Sequence, residues 1–429
     1  MRILLTSNAS YLPPRGGSTR SNLAFLQTLV ASGHSCRVVA ASPEVETEDQ
    51  RDRLRQELQE QQLDSSLVPK LSRDRLVTCR IEGIELVSVH DLLRRPEVLK
   101  TQILDFGPEW ILVSSEDLSH TLLRRVHRAA PGRLVYLAHT PQWFPFGPAS
   151  WNRDEEATQI LRDDAAAIVV ISKAMEHYVE EYLGRRGAFA HPPLYGQGPW
   201  PVLSQPDGYV GMINPCGVKG ISIFLAVADL MPHLAFAALP GWGTTRQDLQ
   251  NLKKRRNITI LPHVRDIERF LDRLSVLLMP SLWLEGFGLI VMEAMLRGVP
   301  VISTDSGGLR EAKAGTPFLI PVNTIERYEP VYDDRHMPRP VLPAQSIELW
   351  IKALDEITGS AEAYRSHVAS SRNAALEFVT GIDRTAPEKI LSTLTPADAV
   401  RLSTRLDLSQ LSDARRKLML KKFRERASS

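Results

Sequence analysis

The sequence predicts an α/β protein made of two doubly wound domains that face each other across a cleft. Three observations predict it. The 429 residues exceed a typical domain of about 150 and leave room for two or three cores. Short apolar or β-branched runs alternate with helix-length amphipathic stretches, the rhythm of βαβ units around a parallel sheet. That rhythm breaks once, at residues 191–208, where five Pro and three Gly in 18 residues resist regular structure and suit an inter-domain connection.

In the first domain, residues 1–195, strands are expected at 2–6, 37–41, 85–89, 110–114, 134–138 and 167–171. A helix should start near Ser18 or Thr19 and end at Gly33. In the second domain, residues 205–345, the expected strands are 209–213, 234–238, 258–261, 276–279 and 299–303. Residues 346–380 read as a helical segment that returns toward the first domain, and residues 395–429 as a basic amphipathic tail.

Composition narrows the function. With 43% hydrophobic and 24% charged residues, the chain is neither disordered nor fibrous. A net charge of +2 lacks the concentrated basic excess of a nucleic-acid binder, so nucleic acid is not an expected partner. Three cysteines without C-x-x-C spacing argue against a disulfide framework and a Cys-type zinc site. The apolar run after Met1 is too short for a secretory signal, and the longest apolar window, 225–242, is interrupted by Asp229, Pro232 and His233. The expected location is cytoplasmic.

The most informative window runs from Met279 to Glu311. A strand ends at Pro280, Glu285-Gly286-Phe287-Gly288 follows, and good helix formers run from Leu289 to Leu296 before Gly298 and Pro300 stop them. A helix beginning near Phe287 presents unpaired N–H groups, and Gly286 and Gly288 let a ligand approach the backbone; phosphate is the natural occupant. Glu285 before the helix and Glu293 about two turns along it could accept hydrogen bonds from hydroxyls flanking that phosphate. The structural alternative is that Glu285 caps the helix and Glu293 is solvated on its outer face.

Four further turns follow predicted strands. Ser306-Gly307-Gly308 sits where open α/β sheets bind ligands, or is simply a tight turn. Lys219, before Gly220, can reach a diphosphate as a point charge or be a solvated surface lysine. The loop ending in Gly16-Gly17 could hold phosphate or sugar, yet it is not G-x-G-x-x-G and no acidic residue follows at the ribose spacing, which disfavours a nicotinamide dehydrogenase. His139, at a strand end, suits an active-site edge or a satisfied structural role.

Together these residues resemble glycosyltransferase family 4, a retaining family of GT-B fold with two Rossmann-like domains. The resemblance covers about residues 1–380, rests chiefly on Glu285-Gly286-Phe287-Gly288-Leu289, Glu293-Ala294-Met295 and Ser306-Gly307-Gly308, and places the family's E-x7-E motif on Glu285 and Glu293. It implies that Glu293 holds the nucleotide ribose, Glu285 the donor sugar hydroxyls and Lys219 the diphosphate. By the same resemblance, the backbone of Gly307, Gly308 and Leu309 lines the donor pocket, Val264 lies in the loop that meets the base, and His139 sits beside the reacting sugar. The family's usual Arg five residues before the Lys is Asn214 here, which brings no charge.

The expected activity is transfer of a sugar from a UDP- or GDP-sugar to an acceptor hydroxyl held mainly by the first domain, with retention, in glycoconjugate or specialised-metabolite biosynthesis. The nucleoside diphosphate sugar is a co-substrate; no cofactor is expected. With no D-x-D triplet, no metal is expected either, so Lys219 and the helix N-terminus must stabilise the leaving diphosphate. The rival classes are a GT-B-like epimerase or phosphorylase and a non-catalytic sugar-nucleotide-binding protein. In the tail, Ser412 can cap a helix with a narrow apolar stripe and seven Arg or Lys between Leu411 and Arg426. Three readings stand for it: a solvated terminal helix, peripheral contact with an anionic membrane, or protein docking, which a likeness to short L-S-x-x-R-R-x-L-x-L tails of multimodular synthases suggests. The sequence carries no signal for oligomeric state.

Overall fold

The computed structural model describes residues 1–396 except 44, 46, 61–75, 92, 263 and 265. The amphipathic tail from residue 397 onward, and with it the membrane and docking readings, lies outside the described residues.

Strands of the first domain are β1 (Arg2–Ser10), β2 (Ser35–Ala41), β3 (Leu76–Ile81), β4 (Ile84–Val89), β5 (Trp110–Ser114), β6 (Leu134–Ala138), β7 (Ala167–Val170) and β8 (Ala188–Phe189). Among the described residues they form one sheet in the order β3-β4-β2-β1-β5-β6-β7-β8, parallel except for β3 against β4. Alternate residues serve opposite faces, as strand geometry requires. Leu4, Ile111 and Val113 enter one buried cluster, and Ile3, Leu5, Trp110 and Leu112 the other.

The second sheet contains β9 (Tyr209–Ile213), β10 (Phe236–Leu239), β11 (Ile258–Ile260), β12 (Leu274–Met279), β13 (Val301–Thr304) and β14 (Leu319–Ile320). Its order, β11-β10-β9-β12-β13-β14, is all parallel and reverses between β9 and β12, so the crevice at the carboxyl ends of those two strands is the switch point. In the first sheet the reversal falls between β1 and β5. This is the GT-B arrangement of two Rossmann-like domains.

The expected single helix over 346–380 is two, Glu348–Thr358 and Ala361–Thr380, because Gly359 interrupts the run and Ser360 caps a new start by accepting from Ala363 N. The second of them brings Phe378 to the end of the first domain, its ring 4.7 Å from that of His191. Helix Ala361–Thr380 packs on helix Leu289–Leu296, and the later helix Ala386–Thr393 reaches helix Gly17–Ala31. Leu391 there is fully buried among residues of the first domain, and Ser32 Oγ donates to Glu388 at 2.7 Å. No helix among the described residues is long and apolar enough to cross a membrane.

Candidate active site

Helix Leu289–Leu296 follows Gly288, whose φ of 98° favours glycine and stops the helix from extending back to Phe287. It therefore starts two residues later than expected, and Glu293 lies just over one turn along it. Apart from Glu293 its sequence is apolar all round because the helix is enclosed, sheet on one side and helix Ala361–Thr380 on the other; every residue from Val291 to Leu296 is buried. Glu293 is 6% exposed, not solvated, and a carboxylate so enclosed needs a partner. The partner comes from the other domain: Arg20 Nη2 donates to Glu293 Oε1 at 2.5 Å. Burial works against the Arg20 charge, but the adjacent Glu293 carboxylate outweighs it and raises the guanidinium pKa.

Glu285 is likewise buried and does not cap the helix, which has no side-chain cap. Its Oε1 accepts from Ser281 Oγ at 2.5 Å and from Trp283 Nε1 at 2.8 Å, and it pairs with Lys219 Nζ, which lies 4.3 Å from the centre of the Trp283 ring. Lys219 is thus enclosed by charge and aromatic face. It closes the 3-10 turn Gly217–Lys219 after β9. Gly220 holds that turn against β12, since a Cβ there would come within 1.8 Å of the Pro280 carbonyl oxygen.

The turn after β13 locks onto the same loop. Gly308 N donates to Glu285 O at 2.8 Å, and a Cβ on Gly307 would meet that oxygen at 2.3 Å. The Gly308 N–H is thereby spent on protein, so this turn shapes the Glu285 loop by close packing. The N–H groups of Phe287, Gly288, Leu289 and Ile290 make no hydrogen bond among the described residues, and they are the donors an anion would meet.

Asn214 is 5% exposed and turned inward: Oδ1 accepts from Gly243 N at 2.8 Å, while Nδ2 is buried without a partner. It braces the turn after β10 and adds no positive charge. Val264 is half-buried against the second domain's core, and the adjoining His263 and Arg265 lie outside the described residues.

On the first-domain side, Gly16 precedes helix Gly17–Ala31, and a Cβ on Gly17 would lie 3.0 Å from Leu289 Cδ1. His139, after β6, is 5% exposed; its Nε2 sits 2.7 Å from Asn22 Oδ1 and its Nδ1 has no partner. Its carbonyl oxygen would be 1.9 Å from a Cβ on Gly286. Ser172 Oγ, which caps helix Lys173–Leu183, also donates to Gly286 O at 2.6 Å, and Glu311 accepts from Lys173 N at 2.7 Å and meets His191 Nε2 at 2.5 Å. The turns from both sheets therefore face one cleft.

Burial pushes the His139 pKa down to about 4, so the ring is neutral at pH 7. An unfolded histidine titrates near 6.5, so between the two values the unfolded chain binds the extra proton and stability falls with pH. This contribution, on the order of 3 kcal/mol, is full above about pH 6.5 and lost as pH falls toward 4. His139→Gln is expected to flatten the pH dependence of the urea midpoint between pH 7 and 4.5; an unchanged slope would show that His139 does not supply it.

Sequence reasoning missed Arg20, Asn22 and Trp283 as site residues. A signal existed for Arg20: a cation in the first turn of a helix opposes the helix dipole and calls for an anion nearby. Trp283 and Asn22 carried none, because their roles depend on neighbours distant in sequence.

Comparison with known proteins agrees with the fold. Residues 208–329 match the family model described as "Glycosyl transferases group 1". An uncharacterized 42.6 kDa protein in the cps region of Klebsiella pneumoniae is 25% identical over 119 residues, 28% of this chain; the match spans about a third (31%) of that protein. Among solved structures, a sucrose-phosphate synthase from Thermosynechococcus elongatus superposes with TM-score 0.65 at 14% identity, covering 91% of this chain and 98% of that one. HepE of Anabaena in complex with UDP-glucose gives 0.59 at 14% identity, covering 92% and 99%. A mutant of S. aureus TarM, in complex with Fondaparinux, alpha-GlcNAc-glycerol and UDP, gives 0.63 at 9% identity, covering 91% and 99%. The chain carries a glycosyltransferase domain within a GT-B fold.

Proposed function

We propose that the chain is a retaining glycosyltransferase that moves a sugar from a UDP- or GDP-sugar to an acceptor hydroxyl, in the cytoplasm, in glycoconjugate or specialised-metabolite biosynthesis. The observation that carries this reading is the donor loop: two buried carboxylates, Glu285 and Glu293, flank unpaired N–H groups at a helix start, with Lys219 beside one of them. The neighbours solved with UDP-glucose and with UDP support the choice of donor. Glu293 would accept from ribose hydroxyls, Glu285 from the sugar, and Lys219 would meet the phosphates.

In the reaction the bond from C1 to the phosphate oxygen breaks and its electron pair leaves with the diphosphate. The acceptor oxygen bonds C1 on the same face, and its proton passes to the leaving phosphate. Lys219 and the N–H groups around Leu289 stabilise the growing charge, so the proposal needs no metal ion. Neutral, buried His139 would line the reacting side without carrying charge.

The test is incubation of the chain with UDP-glucose, other UDP-sugars and GDP-sugars plus an acceptor panel, with and without chelator, and NMR of the product anomer. A retained anomer formed with chelator present supports the reading. An inverted anomer overturns retention, and loss of all activity with chelator overturns metal independence. Turnover without any acceptor but phosphate or water reveals an epimerase or phosphorylase; nucleotide binding without turnover reveals a non-catalytic binder. Glu293→Ala is expected to weaken nucleoside diphosphate binding by about 1.5–3 kcal/mol, the worth of hydrogen bonds to a charged acceptor. Calorimetric titration checks it, and unchanged affinity would remove Glu293 from the ribose.

A further inference from the structure

We propose that Arg20 is the second cation of the donor site: it pairs with Glu293 and turns to the diphosphate when ribose hydroxyls take that carboxylate. The inference rests on the donor reading above. Its starting point is a shortage of charge. A nucleoside diphosphate leaves with more negative charge than Lys219 alone can balance, and Asn214 is turned into the fold on Gly243. A cation must come from elsewhere.

Basic residues beside the same turns are held by other carboxylates: Lys173 by Glu176, Arg310 by Asp305, Arg15 by Glu57 and Arg297 by Glu268. Arg20 differs in being held by Glu293, the carboxylate that a ribose is expected to claim. Binding of the donor would therefore strip Arg20 of its partner and leave its charge in the cleft.

Helix geometry puts that charge where the phosphates would be. Gly17 lies against Leu289, and Arg20 meets Glu293. Gly17 and Leu289 are the first residues of their helices, so the two N-termini meet at that contact. The positive ends of two helices converge there. Arg20 stands about 4.5 Å along its helix axis from Gly17, and long helical side chains lean toward the N-terminus, so the guanidinium can swing back by about one turn. Its planar fork suits phosphate oxygens. A cation in the first turn, unfavourable on its own, is explained by an anion arriving there.

A second feature marks the Arg20–Glu293 pair as incomplete. The Tyr195 hydroxyl, on the inter-domain connection, is buried, feels the charges of both Glu293 and Arg20, and has no hydrogen-bond partner.

The test is calorimetric titration of the full chain and of Arg20→Gln and Arg20→Lys with UDP, UMP and uridine, and with GDP, GMP and guanosine. If Arg20 reaches the phosphates, R20Q lowers the diphosphate-to-nucleoside affinity ratio at least tenfold, R20K restores part of it, and nucleoside alone binds as well as before or tighter because Glu293 is free. If Arg20 only competes for Glu293, R20Q tightens diphosphate and nucleoside equally, which overturns the proposal. Unchanged affinities throughout overturn it too. A wild-type chain that binds none of the six ligands overturns the donor reading itself, and this inference with it.

Discussion

Lys219→Ala is expected to lower turnover about 10²- to 10³-fold, the usual cost of removing one donor aimed at developing charge, while nucleotide affinity changes less. The reason is position. Lys219 is fixed at both ends: its backbone by Gly220 against the Pro280 carbonyl, its Nζ between Glu285 and the Trp283 face. On the proposed reaction, a lysine in so enclosed a seat would need little reorganisation as charge builds on the leaving phosphate, and would act mainly in the transition state. Removing it also leaves the buried Glu285 with only Ser281 and Trp283 as donors. Measuring kcat alongside the dissociation constant for the nucleoside diphosphate separates the effects. An equal fall in affinity and turnover would reduce Lys219 to a ground-state binding residue, and Lys219→Arg, which keeps the charge, should recover part of the loss.

Gly286→Ala is expected to cost about 10²-fold in turnover, the scale on which a displacement of about 1 Å disturbs a reacting geometry. A Cβ at Gly286 would lie 1.9 Å from the His139 carbonyl oxygen. That obstacle is backbone from the opposite domain, so the substitution must hold the Glu285 loop away from the first domain or break the Ser172 hydrogen bond to Gly286 O. Each domain keeps its own buried clusters, so both should fold and nucleotide affinity should stay within a few-fold. Gly17→Ala is the control: its Cβ would meet only the Leu289 side-chain tip at 3.0 Å, which can shift. Small-angle scattering should show G286A more open than G17A. Wild-type turnover in G286A would mean that this contact is absent from the reactive state.

Much of the architecture was legible in the chain itself. Strands Trp110–Ser114, Leu134–Ala138 and Tyr209–Ile213 coincide with the expected residues because they are short, continuous apolar runs buried on both faces of a parallel sheet. Strand Leu76–Ile81 was missed for the opposite reason: it is the antiparallel edge of the sheet and largely faces solvent. Glycine positions could be read as close approaches, yet what approaches them could not. Nothing near Gly286 in sequence points to His139, 147 residues away.

The sequence by itself determined the α/β fold class and the turns that carry Gly17, His139, Lys219, Glu285 and Gly307, because hydrophobic period and turn chemistry are local properties. Tertiary structure alone decided how those turns are wired. Glu293 reads as a solvated or a ligand-facing residue until helix Ala361–Thr380 is seen to cover its helix and Arg20 to reach it from the other domain. The same holds for Asn214, whose slot suggests a ligand while its amide oxygen is committed to Gly243. The physical reason is burial: a carboxylate, amide or guanidinium removed from water must find a partner, and which partner it finds depends on surfaces brought together from distant parts of the chain.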